Sequence, residues 1–314
     1  MKIRSEDNAM VIKNKISRKL LACGLAAVVL LCGGCKKKEE AATLQKYEGE
    51  LGSAKELDGV TVVVTIFASD YNSQWDEEDG ETAEKMQTSL EYLGKGLDYI
   101  TEESRKWGKN AEFVYDWNEN EDLMYLRNIP LEEGMSPYEG PHRMFMVIEN
   151  TIDSAALMDK YNADNIVYNA VFNTPEDNQY SSYAYPIGAY SSSDPFEFVF
   201  IAYTSDCGDA SGPAVYAHEI LHLFGAWDYY ENRDNDGVTD EFSEYISNNI
   251  PNEIMFNVKN PATEQYDYDE VTSVISEATA YYVGWTDSCD LIEKYGCAVS
   301  EHIKPEETKA TPHN

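Results

Sequence analysis

Residues 212–228 read Gly212-Pro213-Ala214-Val215-Tyr216-Ala217-His218-Glu219-Ile220-Leu221-His222-Leu223-Phe224-Gly225-Ala226-Trp227-Asp228, or GPAVYAHEILHLFGAWD. The stretch spells a helix and its reversal. Pro213 suits a first helical turn, where its missing N–H has no bond to lose. Gly225 suits the left-handed residue that closes a helix. Between them Ala217, Ile220, Leu221, Leu223 and Phe224 cover much of the circumference, so the helix is predicted to be buried. His218 and His222 are four residues apart and project from one face. Two imidazoles and the carboxylate of Glu219 on a buried helix need polar partners. One divalent metal supplies them together; a structural pair of core histidines is the alternative.

Zn²⁺ accepts imidazole nitrogens at about 2.0–2.1 Å, and two rings one helical turn apart can both reach one ion. Glu219 directly follows the first of them, where it can take the proton of water activated by the metal. The chain has five histidines, His142, His218, His222, His302 and His313, and none lies shortly beyond His222. Asp228 does. Gly225 permits a sharp turn that returns the chain to the metal, and a carboxylate oxygen is an acceptable third ligand. Alternatively, Asp228 hydrogen-bonds within the turn and Glu277 or another carboxylate completes the shell.

The pattern His-Glu-x-x-His-x-x-Gly-x-x-Asp over His218–Asp228 resembles the extended zinc signature of the metzincin peptidases. It resembles the variant with Asp as third ligand, as in snapalysin-type and immune-inhibitor-A-type secreted bacterial peptidases. The resemblance implies a Met-containing turn beneath the metal, for which Pro251–Asn257 (PNEIMFN) is the candidate and Met255 the floor residue. Ser276–Trp285 (SEATAYYVGW) resembles the helix ending in Gly-Trp that follows the metal site in such enzymes. No Tyr lies two positions after Met255, so a tyrosine partner for the developing oxyanion is unassigned. The likeness covers residues 211–285.

Asn232–Glu241 (NRDNDGVTDE) follows at once. Oxygen side chains alternate, with Gly237 after the third, as at the start of an EF-hand-like loop. Asp234, Asp236 and Asp240 are the candidate Ca²⁺ ligands. Ser243 stands where a bidentate Glu is expected, with Glu244 adjacent, so the match is partial, and a solvated acidic turn is the reading favoured over Ca²⁺ binding. No Gly-x-Ser-x-Gly and no phosphate-binding Gly-rich loop is present.

The rest of the chain frames that site. Its 314 residues, 43% apolar, can build one sizeable core. A formal charge of −33 should repel nucleic acid phosphates and anionic membrane surfaces; solubility of an exported protein is one reading of it, attraction of cationic substrates or Ca²⁺ the other. Lys13, Lys15, Arg18 and Lys19 precede an uncharged run from Leu20 to Leu31, too short to span a membrane easily but right for a secretion signal. Leu31-Cys32-Gly33-Gly34-Cys35 then resembles a bacterial lipoprotein signal with Cys35 as the lipidated residue. An uncleaved N-terminal anchor is the other reading. Cys207, Cys289 and Cys297 remain, and an odd count leaves their pairing open.

Pattern reading places strands at 59–67, 111–117, 143–148, 165–172 and 196–204 and helices at 81–107 and 154–161. Residues 181–190, with Pro186 and Gly188, read as an edge strand or irregular loop. The expected organisation is a signal at 1–34, a tether at 35–57, a metallopeptidase domain at 58–300 divided at 225/226, and a flexible tail at 301–314. The expected fold is α+β and metzincin-like. It has a twisted mixed β-sheet, the active-site helix and a smaller, mostly helical and irregular C-terminal subdomain. The expected protein is a monomeric zinc endopeptidase, lipid-anchored on the outer face of a bacterial membrane or secreted, acting on proteins or peptides. A surface binding lipoprotein with a vestigial peptidase site is the rival.

Overall fold

The computed structural model describes residues 56–70, 74–129, 141–176, 181–186, 196–230, 237–300 and 302. Its heart is a six-stranded mixed sheet. Strand β1 (Gly59–Ser69) runs through the middle, parallel to β2 (Ala111–Val114), β3 (Met124–Asn128) and β4 (Asn165–Phe172). Strand β6 (Phe198–Ala202) continues the parallel set beside β4. Strand β5 (Tyr183–Tyr185) is antiparallel to β6 and forms the last strand in that direction.

β1, β4 and β6 are buried on both faces, which is why their sequences are apolar runs rather than alternations. The two-residue period divides each strand between two cores. Val63 and Phe67 face one; Val62, Val64, Ile66 and Ala68 face the other. On the first face lies α1 (Gly80–Lys106). Its Met86, Leu90, Leu93, Leu97 and Ile100 recur at helical spacing, and Asp79 caps it by accepting from the Thr82 N–H at 3.1 Å. Each such fully buried Leu or Phe contributes about 1.5–3 kcal/mol of transfer free energy. On the second face lie α2 (Pro141–Thr151) and α3 (Ser154–Tyr161).

Residues 143–148 correct the sequence reading: they are helix, not strand. RMFMVI is short and apolar enough to suit either period. The wider window decides, because Met144, Phe145, Ile148 and Ile152 are buried while Met146 is 57% exposed. The strand expected at 111–117 ends at Val114, and β3 was not foreseen. Leu57, the last residue of the expected tether, is fully buried. Its N–H donates to the Val283 carbonyl at 2.9 Å and its own carbonyl accepts from the Trp285 indole at 2.7 Å.

The helix α4 (Pro213–Leu223) packs beside α1 on the first face. The chain beyond it contains three short helices, α5 (Asp240–Asn249), α6 (Glu277–Tyr282) and α7 (Asp290–Tyr295), joined by turns. Their Phe242, Ile246, Ala278, Tyr282 and Ile292 extend the same core that α1 and α4 build. The protein is thus α plus β, with a mixed sheet and seven α-helices among the described residues. None of these helices is long and apolar enough to cross a membrane. Residues 1–55 and all of 301–314 except His302, with the expected signal, Cys35 and nearly all of the expected tether, lie outside the described residues.

Candidate metal centre

Helix α4 begins as its sequence dictates. Gly212 is extended at the N-cap and Pro213 occupies the first turn. The helix lies unusually close to α1: a Cβ on Gly96 would stand 2.8 Å from the Pro213 carbonyl oxygen. Gly96 is therefore what lets the two axes approach. Every residue from Pro213 to Leu221 is buried, so the imidazole and carboxylate groups sit under a largely apolar roof.

The end of α4 is a Schellman turn. The Gly225 N–H donates to the His222 carbonyl at 3.0 Å and the Ala226 N–H to the Leu221 carbonyl at 3.2 Å. Gly225 has φ +97°, backbone that a side chain resists. The reversal returns Asp228 to the helix face it has just left.

Three atoms then meet. The Nε2 atoms of His218 and His222 are 3.1 Å apart, and Asp228 Oδ1 lies 3.2 Å from each. Each ring is held from behind: His218 Nδ1–H donates to the Ile254 carbonyl at 2.9 Å and His222 Nδ1–H to the Ala226 carbonyl at 2.8 Å. A carbonyl can only accept, so each neutral ring carries its proton on Nδ1 and points the Nε2 lone pair inward. Two lone pairs and a carboxylate oxygen facing one another repel unless a cation or a proton lies between them. Three ligands at about 2.0 Å in tetrahedral array stand about 3.3 Å apart, so the donor set fits a zinc-sized ion. Glu219 also offers an oxygen within 4.8 Å of both imidazole nitrogens. Asp228, at 3.2 Å from both nitrogens, completes the triangle, and Glu219 stands beside it. Glu277, the alternative third ligand, is an exposed residue in the first turn of α6.

The electrostatics agree with a site built for positive charge. Burial opposes charging of His218, but the Asp228 hydrogen bond and the charges of Glu219 and Asp228 lift its pKa to about 9. Burial likewise opposes ionisation of Asp228, yet the two imidazoles hold it well below the usual carboxylate range. Glu219 is pushed up, chiefly by burial, against the pull of the two imidazoles. A carboxylate raised in this way is a better proton acceptor.

Tyr230 was missed in the sequence reading. Its phenol engages Asp228, and partial burial together with the charges of Asp228 and Glu219 raises its pKa, while 40% of the residue stays exposed. It lines a cleft shared with His218 and Glu219. The signal was only its place two residues beyond Asp228, which no spacing rule picks out.

The 253–255 segment adjoins the site. Ile254 supplies the carbonyl for His218, and the Met255 carbonyl accepts from the Tyr229 N–H at 2.8 Å. Met255 itself is fully buried. Glu253, also missed, is the clamp for this segment. Its carboxylate accepts from the Met255 N–H at 2.6 Å, the Ser276 N–H and hydroxyl at 3.3 and 3.1 Å, and the Thr279 hydroxyl at 2.5 Å. Burial raises its pKa to about 7 despite those donors.

The candidate Ca²⁺ ligands divide. Asp234 and Asp236 lie outside the described residues, while Asp240 is exposed and opens α5, which Thr239 caps. Gly237 presses so closely on the Trp227 indole that no side chain fits there. Cys289 and Cys297 are buried free thiols, and Cys207 is an exposed one.

No protein-family model matches the chain, and no curated protein matches it. A solved structure described as a chaperone-substrate complex aligns with 58% of this chain at 15% identity and a TM-score of 0.26. This chain covers 26% of the length of that one, and a likeness so slight carries no argument.

Proposed function

We propose that this chain is a metzincin-like zinc endopeptidase. The observation that carries the reading is the triangle of His218 Nε2, His222 Nε2 and Asp228 Oδ1, with edges of 3.1–3.2 Å and both rings oriented from behind. That arrangement is a first ligand set with its outer partners already in place. Glu219 and Tyr230 beside it, in an open cleft, support hydrolysis over a purely structural metal, because a structural site has no use for a base and a donor at its mouth.

Zinc held by His218, His222 and Asp228 would supply Lewis acidity to a peptide carbonyl and to the attacking water. Glu219 takes the proton of that water and returns it to the departing amine. Tyr230, held as a neutral phenol, donates to the oxygen on which negative charge develops. Ser181 and Ser182, just before β5, line the same cleft, so an extended peptide can lie along that side. Met255 and Glu253 keep the floor under His218 rigid. With Cys35 lipidated, the enzyme works as a monomer at the outer face of a bacterial membrane, on extracellular proteins or peptides. A Ca²⁺ ion at Asp234, Asp236 and Asp240 would stiffen the wall after Asp228.

The test joins metal analysis to cleavage of an unbiased peptide library by wild type and Glu219→Gln. One zinc per chain in both proteins, with cleavage only in wild type, is the expected result. Equal cleavage by both would remove Glu219 from the mechanism, and no cleavage by wild type would remove the peptidase reading.

A further inference from the structure

Beyond Met255 the chain runs along the cleft as Phe256, Asn257, Val258 and Lys259, all of which line it together with His218 and Glu219. The Lys259 N–H is tied to Asn257 Oδ1 at 2.9 Å, which fixes the turn of this wall. The Lys259 ammonium stands 5.0 Å over the Tyr266 ring and 3.3 Å from the Cys207 sulfur. Lys85, Lys95, Lys106, Lys109 and Lys160 each have a carboxylate as ion-pair partner. Among the described residues Lys259 has none. The second acid of the cleft, Asp206, is engaged by the Ser181 hydroxyl at 3.0 Å.

A partly buried ammonium that meets a thiol and, among the described residues, no carboxylate stands out in a chain with 57 acidic and 24 basic residues. Its neighbours suit an acidic guest. Val215 and Val258 offer apolar wall for a methylene stem, and the phenol of Tyr266 and the hydroxyl of Ser205 lie in the same lining. Burial keeps that phenol protonated. The long-range field of the protein repels anions, so a carboxylate would bind here through short charge-assisted hydrogen bonds alone.

We propose that Lys259 makes the cleft beside Glu219 a receptor for a carboxylate of the substrate, carried by a Glu or Asp side chain next to the scissile bond or by a free C-terminus. This rests on the peptidase reading above and names the substrate class it favours.

The experiment uses the zinc-loaded protein and short peptides that differ at one residue, Glu, Gln or Lys, each as C-terminal acid and amide. Binding is measured by calorimetry in a Glu219→Ala background, and cleavage of the same peptides in the Glu219 background. Lys259, Lys259→Ala, Lys259→Arg and Lys259→Glu are compared in both. The expected preference for Glu over Gln is about tenfold or more. It disappears in Lys259→Ala, survives in Lys259→Arg and turns towards Lys in Lys259→Glu. A preference for acid over amide, with no effect of the side chain, assigns the pocket to the C-terminus. Equal Glu-to-Gln and acid-to-amide ratios in all four proteins, or no binding of any peptide, overturn the proposal. Cleavage without a Lys259-dependent preference overturns it while leaving the peptidase reading standing. A Lys259-dependent binding preference without any cleavage does the reverse.

Discussion

The Nδ1–H of His222 donates to the carbonyl of Ala226 at 2.8 Å, and Ala226 is the residue that the turn at Gly225 sets in place. One reversal therefore does two things: it orients a candidate ligand and delivers Asp228 to it. Gly225→Ala puts a Cβ 3.2 Å from the Tyr282 carbonyl oxygen at φ +97°. The expected outcome is a loss of about 1–3 kcal/mol in unfolding free energy, together with weaker zinc binding. Denaturant unfolding and a chelator competition check the two effects separately.

Asp228→Asn removes the charge from the oxygen that lies 3.2 Å from both imidazoles. Zinc affinity is expected to fall by at least about 100-fold, because altering even an outer partner of a ligand costs about 10–100-fold. Glu219→Gln should bind zinc as wild type does. Equal metal retention by the two variants would take Asp228 out of the ligand set.

Tyr230→Phe deletes only a hydroxyl at the cleft. If that phenol stabilises the developing oxyanion, kcat falls about 10²-fold while KM and zinc content hardly change. A change confined to KM would mean that Tyr230 positions substrate instead.

Glu253 gives a pH signature. Its carboxyl is raised by burial from an ordinary 4.5 to about 7, so the folded protein holds a proton that the unfolded chain has released. Stability attributable to this group therefore falls as pH rises from about 4.5 to 7 and is level above that. Glu253→Gln keeps the shape and loses the titration. The difference in unfolding free energy between wild type and Glu253→Gln should drift against wild type across that window; a constant difference would place the titration elsewhere.

Much of this protein was legible in local pattern. The helix from Gly80 to Lys106 announced itself by five apolar residues at helical spacing, and β4 by a run that after its first residue is apolar except at Asn169. The 143–148 segment was misread because its five apolar residues satisfy both periods, and burial of Met144, Phe145, Ile148 and Ile152 with Met146 exposed reveals the helical face. At the site, His218, Glu219, His222 and Asp228 were visible because their spacing along one helix and its reversal is itself the geometry. Glu253, Tyr230 and Lys259 carry no such spacing. They matter through Thr279, Asp228 and Tyr266, residues brought to them by the folding of the chain after α4.

The sequence by itself determined the residue types and the helical interval of the candidate metal-binding group, because one turn of α-helix sets how far apart two side chains four residues apart can stand. The tertiary structure decided the rest: that Asp228 closes the triangle at 3.2 Å, that backbone carbonyls at Ile254 and Ala226 fix both rings, and that Lys259 faces the cleft. The physical reason is that each of these depends on a distance across a turn or between elements. Such distances follow from how the buried surfaces of α4, the 253–255 segment and α6 pack together, and no local rule of the chain contains them.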